Sequence, residues 1–369
     1  MFVYYALYVV PPIFGTLAGR LDSPIQKQGV WIAAGLILWL ATGFALGAFD
    51  WPLYLRKFNQ QETLSLYDAM RSVEPGFVLL MRGVQSLGLG LIVVIATGAA
   101  VVMVGLLMFS KQSAKPWLAL VLAIQPIVIF MGMGFLRQGI ALGFAMMAMA
   151  LMLQARTILP FMLLLIAISF HRSAIIFIPI YIAFLAGGYL RPGWVLALGL
   201  GLFFALVAGV MAIPIIRWEV LHHNHAHGAV VRASITLAVF CIFLARQRLW
   251  TCETERRLLL ATVPIALFSI LAAYAFSAFG DRLLYYTVPA QILILTRACD
   301  LVPPGGRRVT AAGLGIASFA LFALWMTFSA KSADLHQPYR SALIERSAFL
   351  KSDTTDYNQH RRNSKSAAK

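Results

Sequence analysis

Between Phe135 and Tyr181 the chain reads FLRQGIALGFAMMAMALMLQARTILPFMLLLIAISFHRSAIIFIPIY, and three side chains in this apolar run could do chemistry: Arg137, His171 and Arg172. A cation at membrane depth costs roughly 3 kcal/mol even on lenient insertion scales, so such residues mark functional sites by default. Arg156, between two apolar runs, fits a cytoplasmic turn instead. An imidazole can take a proton from a hydroxyl near neutral pH, and a neighbouring guanidinium favours the neutral, accepting form. The competing reading of His171 is a buried histidine bonded to a backbone carbonyl.

Arg137, Arg172 and Arg282 share a further property: each is expected to open a helix running inward from one face. The positive end of a helix dipole repels a cation, so helix capping does not account for them. Guanidinium groups and free backbone N–H groups at converging helix starts suit a phosphate or diphosphate. Snorkelling to lipid headgroups is the alternative for any one of them.

Composition sets the frame for these residues. Of 369 residues 60% are hydrophobic and 12% charged, which no soluble domain resembles. Apolar runs long enough to span a bilayer recur along the chain. In lipid every backbone polar group must be satisfied within its segment, so the expected fold is all-α and polytopic. About twelve transmembrane or half-membrane helices are expected, near 1–19, 29–49, 89–109, 116–134, 138–154, 157–170, 172–188, 193–214, 230–245, 258–279, 283–297 and 309–330. Those between 138 and 188 and at 283–297 are short, a feature tolerated where helices line a polar cavity. Residues 1–330 are expected to form one membrane domain, and 331–369 a tail on the outer side whose distal part is polar and expected to be disordered. Met1 to Gly19 lacks a basic flank and a cleavage motif and reads as a first spanning helix.

Orientation follows from the 30 basic residues, which outnumber the 14 acidic ones. Arg20 with Lys27, Lys111 with Lys115, Arg156, Arg191, the Arg246–Arg257 loop and Arg297–Arg308 occupy alternate gaps. Assigning those gaps to the cytoplasm puts both termini outside, provided that 74–88 is a shallow helix within an outer loop, 50–88, and not a crossing. The outer side then holds Asp50, Tyr54, Arg71, Glu74, Arg137, His171, Arg172, Arg282, Tyr339 and Arg340. Asp50 and Glu74 are each readable as a sugar-binding carboxylate, a base or a partner for an outer arginine.

Other features carry less. His222, His223, His225 and His227 lack a metal-ligand spacing and read as a solvated outer loop. Cys241, Cys252 and Cys299 match no metal or redox spacing. Trp51, Trp218 and Trp325 fit an interfacial belt.

DWPLY (Asp50 to Tyr54), EPGF (Glu74 to Phe77), RQGIA (Arg137 to Ala141), FHRSA (Phe170 to Ala174), RLLY (Arg282 to Tyr285) and PYR (Pro338 to Arg340) stand in an order that resembles the EpsG family of bacterial exopolysaccharide polymerases, of the Wzy type. The similarity spans roughly residues 45–345. It implies a GT-C-like glycosyltransferase of the inner membrane that works at the periplasmic face without metal or cofactor. Its partners would be undecaprenyl-diphosphate-linked glycans, the bilayer and a chain-length regulator, with no nucleic acid. His171 and Asp50 are the expected catalytic residues. Arg137, Arg172, Arg282 and Arg340 are expected to hold the diphosphate, and Tyr54, Arg71, Glu74, Tyr285 and Tyr339 to touch substrate. An O-antigen ligase has the same donor chemistry but usually a large periplasmic loop. A lipid-linked glycan flippase needs charge spread through the mid-membrane, and a membrane O-acyltransferase needs no arginine cluster.

Overall fold

The computed structural model describes residues 2–46, 51–189, 191–212, 226, 228–247, 250–328 and 339–343. Asp50, Trp218, the histidines at 222, 223, 225 and 227, and the tail beyond 343 lie outside the described residues. Among the described residues each of the twelve apolar segments is mainly helix, and the chain is an all-α polytopic membrane protein. Among the described residues, seven helices are long and apolar enough to cross a membrane, and three shorter apolar ones accompany them.

The chain opens with α1 (Phe2–Leu7) and α2 (Val10–Gly19), followed by α3 (Pro24–Gly43). Three short helices come next: α4 (Trp51–Gln60), α5 (Leu66–Ser72) and α6 (Pro75–Ser86). At 12 residues α6 spans about 18 Å, too short to cross a bilayer. Arg82 donates to the Leu64 carbonyl at 2.6 Å and Gln85 to that of Phe58 at 2.6 Å, tying α6 to α4 and to the connection that follows it. Trp51 is buried in the small core these helices share with Tyr54, Phe58, Phe77 and Leu136, and so does not stand in an interfacial belt.

The centre of the bundle is α7 (Leu91–Ser110) against α9 (Leu136–Leu153). Gly105 and Gly143 meet where their backbones approach so closely that neither position accommodates a Cβ. Between these helices run α8 (Pro116–Ala123) and an eleven-residue π-helix, Ile124–Gly134. Pro126 lies in that stretch and lacks the amide hydrogen that a regular ladder needs. A Cβ at Gly139 would overlap the Met131 carbonyl, so a glycine there lets α9 fold back directly on the π-helix.

Next come α10 (Ile158–Phe170), a 3-10 turn (Arg172–Ile176) and α11 (Phe177–Ala186). The 13 residues of α10 rise about 20 Å, some 10 Å short of a hydrocarbon core, and His171 and Arg172 follow directly on its end. The remaining helices are α12 (Pro192–Met211), α13 (Ala229–Arg246), α14 (Glu253–Ala275), α15 (Ser277–Ala298) and α16 (Arg307–Phe328). Near the end of the described chain, Leu46 pairs with Arg340 and Ala45 with Ser341 in a two-residue antiparallel ladder.

Charged groups collect at both ends of the bundle. At one end Arg297 donates to Glu255 at 2.6 Å, Trp250 Nε1 donates to the same carboxylate at 2.8 Å, and Lys115 meets Asp300 at 3.2 Å. The start of α9 lies at the other end, which carries the candidate site.

Candidate active site

Glu74 is the hub of the site. Pro75 starts α6 with a preset φ and no amide hydrogen to satisfy, which leaves Glu74 at the N-cap. Its carboxylate does not cap the helix but turns across the bundle end. There Arg137 Nη1 donates to Oε2 at 2.5 Å, and His171 Nδ1 lies 3.1 Å from Oε1. The Glu74 side chain is only 6% exposed. Burial alone would raise its pKa, but the His171 hydrogen bond and the Arg137 charge prevail and hold the carboxyl at about 2. Glu74 is therefore ionised across the physiological range.

Local backbone explains how the three side chains meet. His171 adopts an extended conformation (φ −156°, ψ 118°) after α10, and its carbonyl accepts from the Ala174 amide as the 3-10 turn begins. Arg137 is the second residue of α9. The start of α6 packs on the end of α10 with Gly76 at the contact. A Cβ there would stand 2.5 Å from Ser169 Oγ and 3.0 Å from its carbonyl oxygen, so no larger residue lets Glu74 come this near His171. The Tyr54 hydroxyl faces the Arg137 amide at 3.5 Å. Arg137 Nε is buried and finds no hydrogen-bond acceptor among the described residues.

A hydrogen on Nδ1 can be donated to this carboxylate, and in the neutral ring that arrangement puts the free lone pair on Nε2. The carboxylate is placed to orient the imidazole, as the third member of a catalytic triad is. Two further bonds attach α15 to this group. Gln138 donates to the Arg282 carbonyl at 2.6 Å, and the Ser173 hydroxyl shares a hydrogen bond of 2.9 Å with Tyr286.

The family model for EpsG matches residues 30–341, an interval that contains every one of these side chains. The chain belongs to the EpsG family. It is thus an exopolysaccharide-polymerase-type membrane protein. No curated protein and no solved structure matches it.

The EpsG motifs distribute unequally over the structure. Glu74, Arg137, His171 and Tyr54 come together, and Arg172 opens the 3-10 turn beside them with an exposed side chain. Arg282 is also exposed, but it does not open a helix. It is the sixth residue of α15, because the Phe276 turn is tight enough for that helix to start at Ser277. At Gly280 a Cβ would collide with the Ala272–Ala273 backbone of α14. The expected short helix at 283–297 is therefore a long one of 22 residues, and the dipole argument does not apply to Arg282.

The remaining EpsG candidates have other neighbours. Arg71 donates to Tyr67 at 3.3 Å on an exposed face of α5. Tyr339 donates to the Ala41 carbonyl at 2.7 Å and meets Tyr4 edge to face. Arg340 lies in the short ladder beside Leu46. Tyr285 is buried beneath the Arg232 guanidinium, 5.4 Å from its ring centre. Arg232 itself donates to Asp281 at 2.5 Å, an ion pair between α13 and α15 that apolar patterning conceals. Lys57 on α4 also escapes the sequence reading, since WPLYLRKFNQ carries no clear helix signal.

Proposed function

We propose that this EpsG-family protein is a GT-C-like polysaccharide polymerase that joins undecaprenyl-diphosphate-linked oligosaccharide repeat units at the periplasmic face of the bacterial inner membrane. The observation that carries the reading is the Glu74 carboxylate held between Arg137 and His171. The reaction needs a base for an acceptor hydroxyl and positive charge for a departing diphosphate. This cluster offers both.

In the proposed step, the acceptor hydroxyl oxygen attacks the anomeric carbon of the donor glycan. The bond from that carbon to the diphosphate oxygen breaks, and the electron pair leaves with the lipid diphosphate. The hydroxyl proton passes to His171 Nε2. Glu74 stabilises the imidazolium so formed, and Arg137, Arg172 and Arg282 offset the charge on the leaving group. This assignment requires no metal ion. Asp50 remains the rival base from the same outer loop.

A strain that lacks this gene tests the reaction. It should accumulate single repeat units on lipid diphosphate and regain polymer when the gene is restored. Accumulation of full-length lipid-linked polymer would instead point to a ligase, and disappearance of periplasm-facing repeat units to a flippase.

Orientation has its own measurement, in a background without the three native cysteines. A cysteine at exposed Ser72 should react with an impermeant thiol reagent in whole cells, and one at exposed Gly305 should not. The opposite pattern would place the site in the cytoplasm and overturn the periplasmic assignment.

A further inference from the structure

We propose that Gln138 is a positioning residue of this site: its amide sets α15 in register with α9, so that Arg282 reaches the departing diphosphate together with Arg137. This deepens the polymerase reading above and rests on it. Gln138 is buried in the first turn of α9, 4% exposed. A leucine would fill that space without the cost of taking an amide out of water. The bond that offsets this cost runs to another helix, where the Gln138 amide donates to the Arg282 carbonyl at 2.6 Å. A helical carbonyl keeps a second lone pair after its own bond to the amide four residues on, so α15 stays intact while it accepts Gln138. Gln138 directly follows Arg137, so one arginine's neighbour holds the backbone of another.

A second tie meets α15 one turn later. The Tyr286 hydroxyl shares a hydrogen bond of 2.9 Å with Ser173, the residue after Arg172, and its ring packs edge-on against Phe177. Arg282 and Tyr286 are four residues apart and therefore lie on one face of α15, which is turned toward the 3-10 turn that follows His171. Asp281, the acid beside Arg282, is engaged on another side, where Arg232 of α13 donates to it at 2.5 Å. The Arg282 guanidinium stays exposed. Gln138 is too buried to touch substrate, so it acts through Arg282.

The test uses purified full-length protein in detergent, with the lipid-linked repeat units that the deletion strain accumulates as substrate. Gln138→Met keeps the length and loses the donor. It should lower kcat by roughly 10–100-fold, up to the cost of a misplaced group, with little change in the KM for donor. Arg282→Gln should be at least as slow, and the double variant no slower than Arg282→Gln alone, because the two substitutions remove one contribution. Tyr286→Phe removes the second tie, keeps the ring, and gives the same comparison should Gln138→Met not fold. Effects that multiply in the double variants would show that these residues do not act through Arg282. Wild-type kcat in Gln138→Met, or a loss that follows melting temperature alone, would equally overturn the proposal, and the polymerase reading would stand. Wild-type turnover by Arg282→Gln would remove Arg282 from the site and the proposal with it. Failure of the wild-type protein to lengthen these units would refute the reading and the proposal together.

Discussion

His171→Gln should lower polymerisation in vitro by roughly 10²–10⁴-fold, the range that a positioned general base contributes, while the Michaelis constant for the lipid-linked donor changes little. The glutamine can accept the hydrogen bond of a neighbour, but its amide is no base, so ground-state contacts survive and proton removal does not. The geometry makes this a demanding test. Nδ1 is occupied by Glu74 at 3.1 Å, so Nε2 is the one imidazole nitrogen left for a substrate hydroxyl. Asp50→Asn, assayed beside it, should be the milder change. Normal turnover by His171→Gln together with an inactive Asp50→Asn would transfer the role of base to the aspartate.

The twelve apolar segments were legible in the sequence because hydropathy over a bilayer's length leaves the chain few alternatives. The shortness of α10 was legible on the same ground. Glu74 was legible only as one of several possibilities. Its partners stand 63 and 97 residues away, a pairing that depends on Gly76 allowing α6 against α10 and that no local pattern records. Arg282 was misplaced because the polar pair Asp281–Arg282 interrupts the apolar signal, although the helix runs straight through it. Lys57 and Arg232 were missed for opposite reasons. One lies on a helix too polar and short to stand out, and the other lies within a helix whose apolar neighbours hide it. Membership of the EpsG family names the kind of protein, while the meeting of Glu74, Arg137 and His171 is the observation on which the proposed site rests.

Glu74→Gln should be the second severe change, because it removes one charge from two partners at once. Arg137 would keep a guanidinium 23% exposed with no carboxylate opposite, and breaking a buried pair by removing one member typically costs about 3–5 kcal/mol. Solvent reaches Arg137 in part, so a loss nearer the lower figure is expected, read as a lower melting temperature in detergent. Catalysis should fall further than stability. A glutamine amide can donate to Nδ1, which moves the imidazole proton to Nε2 and leaves no base toward the substrate, a change worth roughly 10⁴-fold in the serine-protease triad. The pH dependence has a definite sign. The carboxyl is held at about 2, below its unfolded value near 4.5, so its stabilisation is fully present above that unfolded value. It is then lost as pH falls toward 2. Wild-type protein should therefore lose melting temperature between about pH 4.5 and pH 2, and Glu74→Gln should lack that part of the decline. An identical acid profile for the two proteins, with turnover preserved in Glu74→Gln, would show that the bridge neither stabilises this end of the bundle nor orients His171.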